Sequence, residues 1–407
     1  MSRALRSRWG WEGSAEDILF LNRLRRVTRD HRWIPEIDGL RFVAICSVFL
    51  YHVFGELSIR SGRVILVEPG YGWLAQILNN GRRGVELFFV ISGLILALPF
   101  ARHFLLGAGP VSLRKYFMRR VTRLEPPYIA SMIVAVLLFG VYRHGLPPGY
   151  LPHALASLFY QHNLVYGELS WVNPVTWSLE VEIQFYIVAP IVMQFYRIRR
   201  TWLRRIVLLA CILGVELAQP AHASLRVQGS ILFYLQYFLA GLLVADVFVL
   251  ELKEMSSSWI WDLAGVSALG AIFWFQTEAL WMKILLPVAI GVLCLAVMKS
   301  HGLRRVLGNP WVAVVGGMCY SIYLLHFLLI AVLFKVTRHA ILPGQIFVVN
   351  YAIQLLLLAV PVLLMCAVFF VLVERPCMDP NWPSKLWRKV AGRSDAVDVL
   401  DSGLNAE

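Results

Sequence analysis

Two ionisable side chains bracket an otherwise apolar stretch of the sequence. RFVAICSVFLYH, residues 41–52, begins with Arg41 and ends with His52. On a continuous helix, eleven steps of about 100° finish about 20° past three full turns. Both side chains then share one stripe, about 16 Å apart in depth at about 1.5 Å per residue. An imidazole titrates near neutral pH, so His52 suits a general base or a proton relay. The plainer reading is a snorkelling arginine and an interfacial histidine.

PVTWSLEVEIQFY, residues 174–186, supplies carboxylates at a matching depth. Glu180 and Glu182 fall roughly 9–12 Å along a helix that starts at Pro174, and Tyr186 lies one turn past Glu182 on the same face. A carboxylate beside an imidazole orients the ring and stabilises its protonated form, so His52 with Glu182 makes a candidate catalytic pair. Alternatively, the glutamates only neutralise Arg82, Arg83 or Arg41. RRVTRLEPPY, residues 119–128, sets Arg119 or Arg120 with Arg123 on one helical face. Guanidinium groups there can grip phosphate oxygens bidentately, although basic residues at a membrane boundary also serve as topology signals and lipid anchors. YSIYLLHF, residues 320–327, spaces Tyr320, Tyr323 and His326 by three, a polar stripe that either lines the same cavity or hydrogen-bonds neighbouring helices. Trp171 and Trp177 fit an interfacial aromatic belt or a sugar-stacking surface.

These residues need a scaffold, and composition indicates which kind. The 407 residues are 58% hydrophobic and only 15% charged, with a mean hydropathy of +0.65, which excludes an ordinary soluble domain. Apolar runs near the roughly 20 residues required to cross a bilayer recur at 37–55, 84–101, 127–142, 174–196, 206–219, 230–250, 259–276, 279–298, 311–333 and 346–373. The expectation is an all-α polytopic bundle of about ten membrane helices. Lys and Arg concentrate in 1–36, 101–126, 197–205 and 374–407, so both termini are expected in the cytoplasm. Basic inner loops on anionic lipid account for the net charge of +13 without nucleic acid. The chain divides into a basic arm (1–36), a membrane domain (37–376) and a basic tail (377–407), with no cleavable signal peptide expected. Six scattered cysteines without CxxC or metal-ligand spacing predict neither disulfides nor a metal site, and the histidines outside these stretches receive no role.

In their order and spacing, IDGLRFVAICSVFLYH, GVELFFVISGLIL (84–96), RRVTRLEPPY, TWSLEVEIQFY, YSIYLLHF and a closing ERP (374–376) together resemble the acyltransferase-3 family of integral-membrane acyltransferases. The resemblance covers about 37–376. It implies that Arg41 and His52 are the family's first-helix pair, with His52 catalytic. The FFVISG element falls on Phe88, Phe89, Ser92 and Gly93, with Glu86 where the family usually has aspartate. The arginine element falls on Arg119, Arg120 and Arg123. The family's EEQFY ending reads Glu182-Ile183-Gln184-Phe185-Tyr186 here, so the second glutamate is missing; Glu182 is the preferred carboxylate, with Glu180, at the variable position before it, a candidate substitute.

The implied activity is transfer of an acyl group, commonly acetyl, from cytoplasmic acyl-CoA to a hydroxyl of an envelope glycan, lipid-linked sugar or similar acceptor, in a bacterial inner membrane. No metal is implied. Some relatives carry a fused extracytoplasmic hydrolase-like domain. The longest expected outer loop, about 143–173, is too short for one, so transfer is expected within the bundle. The competing class is a proton-coupled transporter or flippase, in which His52, Glu182 and Arg41 form a proton relay.

Overall fold

A computed structural model describes residues 24–26, 34–60, 70–143, 145–220, 222–275, 280–379 and 382–384. Most of the basic arm, and the tail residues Lys385, Trp387, Arg388 and Lys389, lie outside the described residues. Every regular element among the described residues is helical. The longer helices are α1 (Pro35–Arg60), α2 (Gly84–Leu106), α3 (Leu113–Arg143), α4 (Trp177–Val192), α5 (Thr201–Leu217), α6 (Ile231–Leu250), α7 (Trp259–Trp274), α8 (Leu280–Lys299), α9 (Cys319–Thr337) and α10 (Phe347–Phe369). Eight of the ten expected spans have a helical stretch long and apolar enough to cross a bilayer. The other two are α7, shorter at 16 residues, and α5, which carries Arg204, Arg205 and Glu216.

The apolar interior divides into two clusters. One is built mainly from α2, α4, α5, α6, α7 and α8, and the other from α1, α3, α9 and α10. Hydrocarbon tails are as apolar as leucine, so close backbone packing must hold such helices together. Gly93 of α2 and Gly241 of α6 provide it: a Cβ on either would overlap the opposing backbone at Phe238 or Val90. A buried ion pair adds a fixed point between α5 and α6, where Arg204 and Arg205 (Nε–Oδ1 2.8 Å) both engage Asp246. Each buried charge there has a partner, without which its desolvation would be strongly unfavourable.

Two boundaries differ from the sequence expectation. The third span was expected at 127–142, but α3 begins at Leu113 and runs through Pro126 and Pro127. A proline at position 126 removes the hydrogen bond to the carbonyl four residues earlier. That carbonyl, on Thr122, instead accepts from the Trp382 indole N–H at 2.8 Å. RRVTR therefore lies within a helix rather than before one. The ninth span, expected at 311–333, is broken into Pro310–Gly317 and α9, with Met318 between them. At Gly316 a Cβ would overlap the Asp38 carbonyl, so this short helix presses directly on the start of α1.

Candidate functional site

A cavity of about 340 Å³ opens between the two clusters, lined by α1, α2, α3, α4 and α9. Nine of the residues singled out by sequence share it: Arg41, Ser92, Arg119, Arg120, Arg123, Glu182, Tyr186, Tyr320 and Tyr323. They come from five helices, which explains why no short motif could specify the site alone.

The cationic part of the lining is anchored at the start of α1. Arg41 Nη1 lies 2.5 Å from Asp38 Oδ1, and Arg26 Nη1 lies 3.5 Å from the same oxygen. Arg120 donates to the Tyr116 carbonyl (3.0 Å), and its guanidinium carbon sits 4.1 Å from the centroid of the Tyr116 ring. Arg26, Arg120 and Arg123 each keep a buried Nε–H without an acceptor. Burial first, then the neighbouring charges of Arg123 and Arg41, lowers the Arg26 guanidinium to about 9 despite the opposing pull of Asp38. Crowded cations with unsatisfied donors favour an anionic ligand with several oxygens.

Glu182 is held from two sides. It accepts hydrogen bonds from the Ser92 hydroxyl and from the Tyr186 hydroxyl, the latter at 2.5 Å and one turn along α4. Tyr320 and Tyr323 fasten α9 to its neighbours. Tyr320 donates to the Leu124 carbonyl (3.0 Å); Tyr323 donates to the Val175 carbonyl (2.7 Å) and accepts from the Leu179 amide (3.2 Å). These two tyrosines line the cavity and also make the interhelical bonds of the plainer reading.

His52, Glu86, Glu180 and His326 are not among the lining residues. Val48, one turn before His52 on α1, and Tyr323, one turn before His326 on α9, do line the cavity. The two histidines meet just past it, their ring centroids 5.2 Å apart. His52 is half-buried between Tyr51, His326 and Phe327, and no hydrogen bond or ion pair joins it to Glu182. Glu180 faces elsewhere: it is fully buried, and its Oε2 accepts the Asn163 backbone N–H at 3.0 Å. Glu86 lies beside Arg82 and Arg83.

Sequence reasoning missed Arg26. It sits in a basic arm where nothing in its spacing sets it apart, and only the folded chain shows that it joins the cavity wall. Cys319, which lines the cavity, and Tyr116, whose ring packs against the Arg120 guanidinium, were also missed.

A many-helix bundle with an arginine-lined internal cavity and a histidine pair at its edge defines a polytopic membrane protein whose membrane domain encloses a basic cavity. The particular family follows from sequence comparison: the acyltransferase-3 family, described as an acyltransferase domain, matches residues 34–372, and the chain belongs to it. The chain is also similar to the O-acetyltransferase OatA of Staphylococcus aureus (strain NCTC 8325 / PS 47), with 24% identity over 375 residues, covering 85% of this chain and 57% of the relative. It resembles the peptidoglycan O-acetyltransferase OatA of Listeria monocytogenes (serovar 1/2a) at 28% over 182 residues, covering 41% of this chain and 25% of that protein. The chain therefore spans little more than half the length of the first of these relatives. No solved structure matches it.

Proposed function

We propose that this chain is an O-acyltransferase that takes an acyl group, acetyl by preference, from cytoplasmic acyl-CoA and passes it to a hydroxyl of an envelope glycan or lipid-linked sugar. The observation that carries this reading is the set of buried, acceptor-free Nε–H groups on Arg26, Arg120 and Arg123 around one cavity. Coenzyme A presents several phosphate oxygens to such a set, and its long pantetheine arm can reach through the cavity while the nucleotide stays at the arginine rim. The glycan acceptor is suggested by the names of the relatives.

In this reading the donor thioester stops where Val48 and Tyr323 line the cavity, one turn short of His52 and His326. His52 accepts the proton of the acceptor hydroxyl as that oxygen attacks the thioester carbonyl; the carbon–sulfur bond then breaks and the coenzyme A thiolate leaves, recovering the proton. Glu182 takes a supporting role, its charge held by Ser92 and Tyr186 rather than by the imidazole. The cytoplasmic placement of the termini and a home in a bacterial inner membrane belong to the same proposal.

The test is calorimetric binding of coenzyme A, dephospho-coenzyme A and pantetheine to the purified chain, followed by acetyl-CoA hydrolysis without acceptor. The expected result is weakening in that order together with slow hydrolysis. Absence of both binding and hydrolysis would overturn the reading, since a transporter has no need of the thioester.

A further inference from the structure

The segment between α3 and α4 contains a second cluster of functional side chains, remote in role from the cavity. It folds as two short helices, Tyr150–Leu158 and His162–Tyr166, which bring His153 and His162 face to face. His153 Nδ1 lies 2.8 Å from His162 Nε2. Glu168 contributes a carboxylate whose Oε1 is 3.7 Å from His153 Nδ1, and one donor atom from each residue lies within 4.8 Å of the others.

The rings are fixed by their surroundings. His153 is stacked against Tyr166 on one contact (centroids 3.8 Å, planes 22° apart) and Trp171 on another (3.7 Å, 7°). His162 is fully buried, and its Nδ1 lies 3.2 Å from the Glu168 carbonyl oxygen. A carbonyl only accepts, so this nitrogen carries the proton and Nε2 presents its lone pair toward His153. Metal-binding histidines show the same second contact, with the far nitrogen donating to a carbonyl or carboxylate. Gly167, with φ +70°, makes the turn that brings Glu168 back beside the ring.

We propose that His153 Nδ1, His162 Nε2 and the Glu168 carboxylate bind one divalent transition-metal ion of the zinc class, with water in the fourth position. Two imidazoles and a carboxylate suit zinc or cobalt better than magnesium or calcium. Tetrahedral bonds of about 2.0–2.1 Å to each ligand place the donor atoms about 3.3 Å apart. The 2.8 Å separation therefore opens and the 3.7 Å separation closes, each by about half an ångström. Ligation through His153 Nδ1 leaves the ring proton on Nε2. The ion reaches the catalytic half of the molecule through Asn163, which follows His162 and donates its backbone N–H to Glu180, two residues before Glu182 on α4. Bound metal would thus clamp this segment onto the helix that carries the cavity carboxylate.

The experiment uses the full chain in detergent, purified with a tag lacking histidine and stripped with chelator. Cobalt(II) is titrated while visible absorbance is followed, and zinc is then added as competitor. The expected result is one equivalent bound with the intense bands of tetrahedral cobalt, displaced by zinc, and a higher thermal midpoint with zinc. His162→Ala should abolish these, and Glu168→Gln, at the half-exposed edge of the site, should weaken binding by at least about tenfold. If His162→Ala fails to fold, Glu168→Gln still decides the matter. Substoichiometric binding, or affinity unchanged in Glu168→Gln, overturns the site. Neither readout depends on acyl transfer.

Discussion

His52 and His326 stand ring to ring, their centroids 5.2 Å apart and their planes inclined at 54°. His326 is fully buried, and its Nδ1 lies 2.8 Å from the Ile322 carbonyl and 2.9 Å from that of Tyr323. Two carbonyls can only accept, so the proton of the neutral ring sits on Nδ1. The opposite nitrogen, Nε2, is buried without a hydrogen-bond partner. The ring packed against His52 therefore has one nitrogen without a partner, whereas the sequence pointed to Glu182 as the neighbour of His52.

This arrangement predicts that the two histidines act together. His52→Ala should lower acyl transfer by about 10²–10⁴-fold, the usual range for a removed general base. His326→Ala should also lower turnover and should shift the pH dependence of the remaining activity. The double variant should be little worse than His52→Ala alone, because residues that act as a unit are not additive. Radiolabelled acyl transfer by correctly inserted protein measures all three; wild-type turnover in His52→Ala would remove the imidazole from the mechanism.

The arginine cluster predicts an effect on the donor rather than on the chemical step. A charge-assisted contact contributes about 1.5–3 kcal/mol, so Arg120→Ala or Arg123→Ala should raise the apparent KM for acetyl-CoA by roughly tenfold to a hundredfold. Dephospho-coenzyme A should show a smaller penalty for whichever arginine meets the missing phosphate. Equal KM values for wild type and both variants, across the two donors, would return these residues to the role of membrane anchors.

Much of this site was legible in the sequence. Arg41, Ser92, Arg123, Glu182 and Tyr186 sit in stretches whose order and spacing carry the family resemblance, and the fold brings all of them to one cavity. What was not legible depends on contacts distant along the chain. Nothing local to RRVTRLEPPY indicates that the Trp382 indole, 260 positions away, satisfies the Thr122 carbonyl that Pro126 leaves without its helical donor. Nothing local to LRR at 24–26 marks Arg26 as part of the cavity wall. Depth matching along α1 and α4 paired His52 with Glu182, but depth does not fix which way two helices face one another; Glu182 turned toward Ser92 of α2.

The Glu182 contacts predict a stability effect separable from catalysis. Hydrogen bonds to a charged group contribute about 1.5–3 kcal/mol when a partner is removed. Ser92→Ala and Tyr186→Phe should each lower the thermal midpoint in detergent, whereas Glu182→Gln should be milder because its amide oxygen still accepts. If Glu182→Gln keeps its midpoint and still loses transfer, the charge itself is needed for the reaction.

The approach of α2 to α6 predicts a sharp contrast between two glycines. At Gly93 a Cβ would overlap the Phe238 backbone, and backbone cannot rotate away as a flexible side-chain end can. At Gly270 of α7 nothing lies within 4 Å of where a Cβ would stand. Overpacking a filled interface typically costs about 1–3 kcal/mol, and forced separation of two helices that share so much surface should cost at least that. Gly93→Val should therefore lower the yield of folded protein and its thermal midpoint, while Gly270→Ala should leave both unchanged or slightly raised, alanine being the better helix former. Size-exclusion profiles and melting curves of the two variants in the same detergent make the comparison. A Gly93→Val protein as stable as wild type would mean that α2 and α6 are not locked together at this crossing, and that the cavity between the two clusters is set by other contacts.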